Sequence, residues 1–183
     1  MILIKTIPSF LTESECTEII NQYSNLNLTD GEFFNKEFIV NKKVRDSKII
    51  FVINDIIENK IINELKKNIL IKGFNFVGLE KIQFTKYNVN GHYDWHTDSD
   101  DTNMPGKRYY SVVIPLNMNY GGGELLCKDL DENIQTLEKK TGNLHIFSSS
   151  LWHKVEPVTF GERYSLVTWL SLETIKDFKN TII

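Results

Sequence analysis

From about Leu79 onward, this 183-residue sequence breaks into short runs rich in aromatic and β-branched residues, each closed by glycine or a polar cluster. The runs are EKIQFTKYNV, HYDWHT, RYYSVVIPLN, GELLCK, NIQTLEK, NLHIF, LWHKVEPV and RYSLVTWLSL. Each has the length and composition of a strand. About eight short strands separated by turn signals make a sandwich or barrel, and the jelly roll is the commonest way to set eight strands in two facing sheets.

The sequence before this half is mixed. Ile2 to Ile7 reads as a short strand, and TESECTEIINQYSNL opens on Thr12 with Glu15 three residues later, the signature of a capped helix start. In NDIIENKIINELKKNI, the residues Ile56, Ile57, Ile61, Ile62, Leu65 and Ile69 recur at helical spacing, with polar residues on the other face. A second helix packed on the β core follows. The expected fold is mainly β with flanking helices, an α+β arrangement in one domain over residues 1–183. Helical and strand support spans about 1–78 and a jelly-roll core about 79–173.

With 41% hydrophobic and 25% charged residues, the chain can bury a core. Its net charge of −3 supplies no basic field for phosphates, so nucleic acid is not an expected partner. MILIKTIPSFLTESE lacks the basic start and long apolar stretch of a signal peptide, and no apolar run approaches the roughly 20 residues that span a bilayer. Cys16 and Cys127 stand far apart in dissimilar surroundings, which reads as two reduced thiols. The expectation is a soluble cytoplasmic protein without a membrane partner.

The residues that carry chemistry lie in YDWHTD and SLWHKVEP. On an extended strand His96 and Asp98 share a face, with Cα atoms roughly 6.5 to 7 Å apart. His153 from a neighbouring strand completes two imidazoles and one carboxylate on one side of a metal, leaving the opposite positions open. That suits iron(II) oxygen chemistry, although zinc accepts the same ligands in a hydrolytic site. Ten residues after His153 comes Arg163, and Ser165 falls on the same strand face. A guanidinium holds a carboxylate through two hydrogen bonds and a serine hydroxyl adds another, as the far carboxylate of 2-oxoglutarate requires. By itself an Arg-x-Ser also fits an ordinary surface ion pair.

The sequence resembles the 2-oxoglutarate- and iron(II)-dependent oxygenases, in their prolyl 4-hydroxylase-like branch with its bacterial and phage relatives. The resemblance runs from VRDSKIIF through FTKYNVNGHYDWHTD, RYYSVVIPLN and GGGELL to GNLHIFSSSLWHKVEPVTFGERYSLVTWL. It implies a double-stranded β-helix, with iron(II) held by His96, Asp98 and His153 and with 2-oxoglutarate bound by Arg163, Ser165 and Tyr87. Trp169 matches an aromatic that serves as pocket wall and core. The implied activity is O2-dependent hydroxylation of a C–H bond with release of succinate and CO2, with ascorbate as an accessory reductant. The substrate would be a protein, a peptide or a small molecule, with a prolyl or proline-like group favoured. Collagen-type relatives carry lysine where Arg163 stands, which weakens a direct inference to proline. Asp98 is present, which disfavours the halogenating members.

Other residues carry less. His92 and His145 read as surface or packing groups, and Glu124 as part of a glycine-rich turn rather than a phosphate loop. Arg45 reads as a surface charge first and a substrate contact second. The polar DSDDTNMPGKR segment is a candidate lid. Two other functions stand beside the oxygenase: a zinc hydrolase, which leaves Arg163, Ser165 and Tyr87 unexplained, and a non-catalytic jelly-roll binding or sensor module.

Overall fold

The strand Arg163–Thr174 is the spine of the larger sheet, pairing antiparallel with Arg108–Pro115 on one side and with Ile82–Tyr87 and Phe74–Leu79 on the other. Leu144–Ser148 and Ile4–Ile7 extend one flank; Lys48–Val52 and Thr29–Asp30 extend the other. The computed structural model describes residues 4–35, 37–68, 74–99 and 108–174, and among these the sheet has eight strands. A five-stranded sheet runs in the order Ile134–Leu137, Leu125–Lys128, His153–Val155, His92–His96 and Arg45–Asp46. All eight runs predicted from the sequence are strands, and strands from before Leu79 enter both sheets. The expected Ile2 to Ile7 strand is seen from Ile4, since residues 1–3 lie outside the described residues.

The apolar residues fall into two layers. Val113 and Phe147 from the large sheet meet Leu125, Cys127, Leu137 and Val155 from the small one, filling the space between the sheets. Val112, Ile114, Leu144 and Ile146 point out of the large sheet's other face, into a cluster shared with the helices. Both parities of these strands are therefore buried, which explains why RYYSVVIP and NLHIF read as continuous apolar runs rather than alternating ones. The two facing sheets form a double-stranded β-helix, the jelly-roll variant.

The helices cover that outer face. The first, Glu13–Tyr23, starts with a capping box: Thr12 N–H donates to Glu15 Oε2 at 2.8 Å and Glu15 N–H donates to Thr12 Oγ1 at 3.2 Å. It buries Cys16, Ile19 and Tyr23. The second, Asp55–Asn68, buries Ile57, Ile61 and Leu65 but leaves Ile56 exposed; Ile69 lies outside the described residues. Cys16 and Cys127 are both free and buried, and burial pushes their thiols up to about 11 and about 12. No helix among the described residues is long and apolar enough to cross a membrane.

Behind the site, Gly122 adopts φ +64°, and a Cβ there would sit 2.2 Å from the Pro157 carbonyl oxygen. The glycine run in GGGEL therefore permits close backbone approach, as its composition implies.

Candidate metal centre

His96 and His153 stand directly opposite each other on adjacent antiparallel strands, with ring centroids 4.1 Å apart. A register shift makes the convergence. His153 pairs His96 and Val155 pairs Tyr93, so the His92–His96 strand carries one residue more than its partner over that interval. Such a bulge turns successive side chains to the same side. Tyr93 and His96, three positions apart, accordingly stack with centroids 3.5 Å apart and planes at 14°.

Asp98 reaches the site by a route that differs from the expected one. The strand ends at His96, and Asp98 lies in the turn beyond it. Its backbone N–H and that of Ser99 both donate to the Ser149 carbonyl, at 2.9 and 3.0 Å, which ties this segment to the end of the Leu144–Ser148 strand of the larger sheet. The carboxylate then sits between the imidazoles: Asp98 Oδ1 is 3.7 Å from His96 Nε2, and Oδ2 is 3.3 Å from His153 Nε2. Ser111 Oγ donates to Oδ2 at 2.6 Å and lies 3.0 Å from Ser149 Oγ.

The protonation pattern suits a cation. His96 Nδ1–H donates to the Asp94 carbonyl at 2.7 Å and His153 Nδ1–H to the Leu151 carbonyl at 2.9 Å. Both rings thereby present an unprotonated Nε2 when neutral, held in orientation by backbone. Burial, reinforced by His153, pushes His96 down to about 3. Burial alone would lower His153, but the Asp98 carboxylate outweighs it and raises it. Burial likewise opposes the charge on Asp98, yet His153, His96 and Ser111 hold its carboxyl well below the usual range. One donor atom from each of the three residues lies within 4.8 Å of the others, a set of two nitrogens and one oxygen that a divalent cation bridges.

Arg163 lies deeper between the sheets and is 3% exposed, which excludes a surface ion pair. Its guanidinium stands 5.1 Å from the Tyr87 ring centre, and one terminal nitrogen donates to Ser165 Oγ at 3.0 Å. Its Nε is buried without a hydrogen-bond partner, and no carboxylate pairs with it among the described residues. A buried guanidinium left so is costly until an anion meets it. The residues present therefore fit a carboxylate co-substrate as well as a metal.

The remaining predicted residues divide. Tyr87 is buried on the strand opposite Arg163. Trp169 is buried, with Arg108 stacked 3.8 Å from its ring centre and bonded to Glu80. His92 bonds backbone carbonyls of Asn90 and Lys43, and His145 sits between Thr6 and the Glu138 carbonyl, so neither joins the metal set. Glu124 pairs with Lys139 at 3.4 Å. The candidate lid lies largely in 100–107, outside the described residues.

Arg45 corrects the surface-charge expectation. It is 8% exposed, donates through Nε to Ser47 Oγ at 2.9 Å and through a terminal nitrogen to the Glu32 carbonyl, and lies 4.6 Å from the Tyr93 ring centre. The short Arg45–Asp46 strand pairs with the metal-site strand and carries the charge inward. Sequence reasoning missed Ser111 and Ser149. The one signal for Ser111 is a lone hydroxyl in the otherwise apolar SVVIP run.

A double-stranded β-helix holding two histidines and an aspartate at one end, with a buried unpaired arginine further in, defines a 2-oxoglutarate- and iron(II)-dependent hydroxylase. The pattern of the 2OG-Fe(II) oxygenase superfamily matches residues 82–171. A PKHD-type hydroxylase of Prochlorococcus marinus is 30% identical over 173 residues, covering 88% of this chain and 75% of the relative. One from Crocosphaera subtropica is 25% identical over 178 residues, covering 92% and 78%. Among solved structures, a Trichoplax adhaerens prolyl hydroxylase in complex with a hypoxia inducible factor peptide fragment superposes with a TM-score of 0.78 at 21% identity, covering 92% of this chain and 83% of that one. A Pseudomonas putida prolyl-4-hydroxylase superposes with a TM-score of 0.74 at 20% identity, covering 92% and 91%. The chain belongs to the 2OG-Fe(II) oxygenase superfamily, among the relatives of the PKHD-type hydroxylases. Its cofactor and co-substrates are iron(II), 2-oxoglutarate and O2.

Proposed function

We propose that this protein hydroxylates a prolyl residue of a protein or peptide, or a proline-like small molecule, with His96, Asp98 and His153 holding iron(II). Arg163, Ser165 and Tyr87 bind 2-oxoglutarate. The observation that carries this reading is the presence, in one β-helix, of the His96, Asp98 and His153 donor set and of the buried Arg163 guanidinium, whose Nε has no hydrogen-bond partner. Iron(II) with 2-oxoglutarate supplies the O2-dependent oxidation that hydroxylates a C–H bond and releases succinate and CO2.

The chain's own work is binding and orientation. The Asp94 and Leu151 carbonyls fix the two imidazoles, and Ser111 fixes the carboxylate. Arg163 and Ser165 take the far carboxylate of the co-substrate, with Tyr87 packed against the guanidinium. Phe147, whose ring centre lies 4.9 Å from that of His153, shields that side of the donor set from water. The kinship with PKHD-type hydroxylases and the likeness to prolyl hydroxylases, one of them solved with a peptide, support a prolyl or related substrate.

The test is an anaerobic titration of metal-free protein with iron(II) and then 2-oxoglutarate, following the visible absorption of the chelate. Wild type should develop the band, His153→Ala should not, and Arg163→Ala should need far more 2-oxoglutarate. Folded wild-type protein that forms no band but binds zinc tightly would overturn the reading. Substrate is then sought with proline-containing peptides, reading succinate release together with a 16 Da gain on the peptide.

A further inference from the structure

We propose that the hydroxyl of Tyr120 is a co-substrate-binding group, donating to the far carboxylate of 2-oxoglutarate beside Arg163 and setting the preference for a diacid. The inference rests on the reading of Arg163 as the anion-binding residue and adds a group to it.

Tyr120 lies just before the glycine run, is 3% exposed, and its hydroxyl is buried with no hydrogen-bond partner. Buried phenols nearly always find a partner, so an orphan one marks a place where something else binds. The second orphan in this region is Arg163 Nε, and both residues line one cavity together with Gly123, Leu125, His145 and Lys139. Gly123 explains why the cavity exists. A Cβ there would lie 3.0 Å from Tyr120 Cε2 and 3.1 Å from Arg163 Cδ, so the two side chains bracket the space that the missing methyl leaves.

The chemistry of the walls narrows the ligand. An arginine offers only donors, and a phenol without a partner has a proton to give, so an acceptor with several lone pairs satisfies both. A carboxylate does this, with the charge that a buried guanidinium needs. His145 does not compete, because both ring nitrogens are engaged, at 2.9 Å to Thr6 Oγ1 and 2.8 Å to the Glu138 carbonyl, and burial keeps it neutral. Lys139 Nζ stands 4.9 Å from the Tyr120 ring centre, a cation that strengthens the phenol as a donor. Val113, Pro115, Leu125 and Leu137 supply the apolar part of the wall, suited to a short methylene chain, and Glu138, which also lines it, has a carboxylate oxygen that accepts from Asn143 Nδ2 at 3.1 Å.

The test uses the iron(II)-loaded full chain under anaerobic conditions and two ligands, 2-oxoglutarate and 2-oxopentanoate, which has the same chain without the far carboxylate. Tyr120→Phe should weaken 2-oxoglutarate roughly tenfold or more, the loss expected of one hydrogen bond to a charged group, and leave 2-oxopentanoate and the iron(II) Kd unchanged. Removing an unpartnered hydroxyl should leave the melting temperature of the ligand-free protein equal or higher, while the rise on adding 2-oxoglutarate shrinks. Unchanged 2-oxoglutarate affinity, equal loss of both ligands, or a sharp fall in ligand-free stability would each overturn the inference. If wild type binds no 2-oxoglutarate, the reading of Arg163 fails first and this one with it.

Discussion

Ser111 Oγ donates to Asp98 Oδ2 at 2.6 Å, from a strand of the large sheet to a turn that leaves the small one. The same hydroxyl lies 3.0 Å from Ser149 Oγ, whose residue also accepts the Asp98 backbone N–H. The large sheet and the residue after its Leu144–Ser148 strand thus hold Asp98, with Oδ1 facing His96.

Ser111→Ala should therefore weaken iron(II) or cobalt(II) binding by about 10- to 100-fold, the range for loss of a hydrogen bond supporting a metal ligand. Metal titration of the purified variant checks it, and a melting temperature close to wild type separates this effect from unfolding. An unchanged metal Kd would mean that the Ser149 carbonyl alone orients Asp98.

Arg45 forms a column with Tyr93 and His96: its guanidinium lies 4.6 Å from the Tyr93 ring centre, and that ring stacks on the imidazole. Arg45→Ala removes this support and the bonds to Ser47 and the Glu32 carbonyl. A loss of about 2 to 3 kcal/mol is expected in urea unfolding, the scale of hydrogen bonds to a charged group. A change within about 0.5 kcal/mol, typical of surface substitutions, would return Arg45 to a surface role.

Glu15 links pH to stability away from the metal. Its bond to Lys60 at 2.7 Å, with help from the Thr12 cap, holds its carboxyl down at about 2 against an ordinary 4.5. A carboxyl lowered on folding adds stability that is present above the unfolded pKa and is lost as pH falls through the folded value. Both partners are 38% exposed, so solvent screening limits the pair to about 1 kcal/mol or less, with the cap adding a similar amount. Glu15→Gln should be less stable than wild type near neutral pH, and the gap should narrow as pH drops from about 4.5 towards about 2. Urea midpoints across that range test it; a gap that widens in acid contradicts the linkage.

Much of the fold is legible in the sequence. The eight runs after Leu79, the capping box at Thr12 and the helical spacing of Ile57, Ile61 and Leu65 are local signals, and local signals survive folding. His96, Asp98 and His153 were legible as one donor set because residue type and spacing carry it. The Lys48–Val52 strand was not singled out, because its apolar run continues into the helix after it without a break in composition.

The sequence by itself determined the strand-rich half, the two amphipathic helices and the set of donor residues. Tertiary structure alone decided how those donors meet. The extra residue in the His92–His96 strand shows only against its partner, and Asp98 is placed by the Ser149 carbonyl rather than by strand alternation. The burial of Arg45 and the shared cavity of Tyr120 and Arg163 likewise depend on distant segments. The physical reason is range: side-chain periodicity is set by neighbours along the chain, whereas register, bulges and the satisfaction of buried polar groups are set by partners across it.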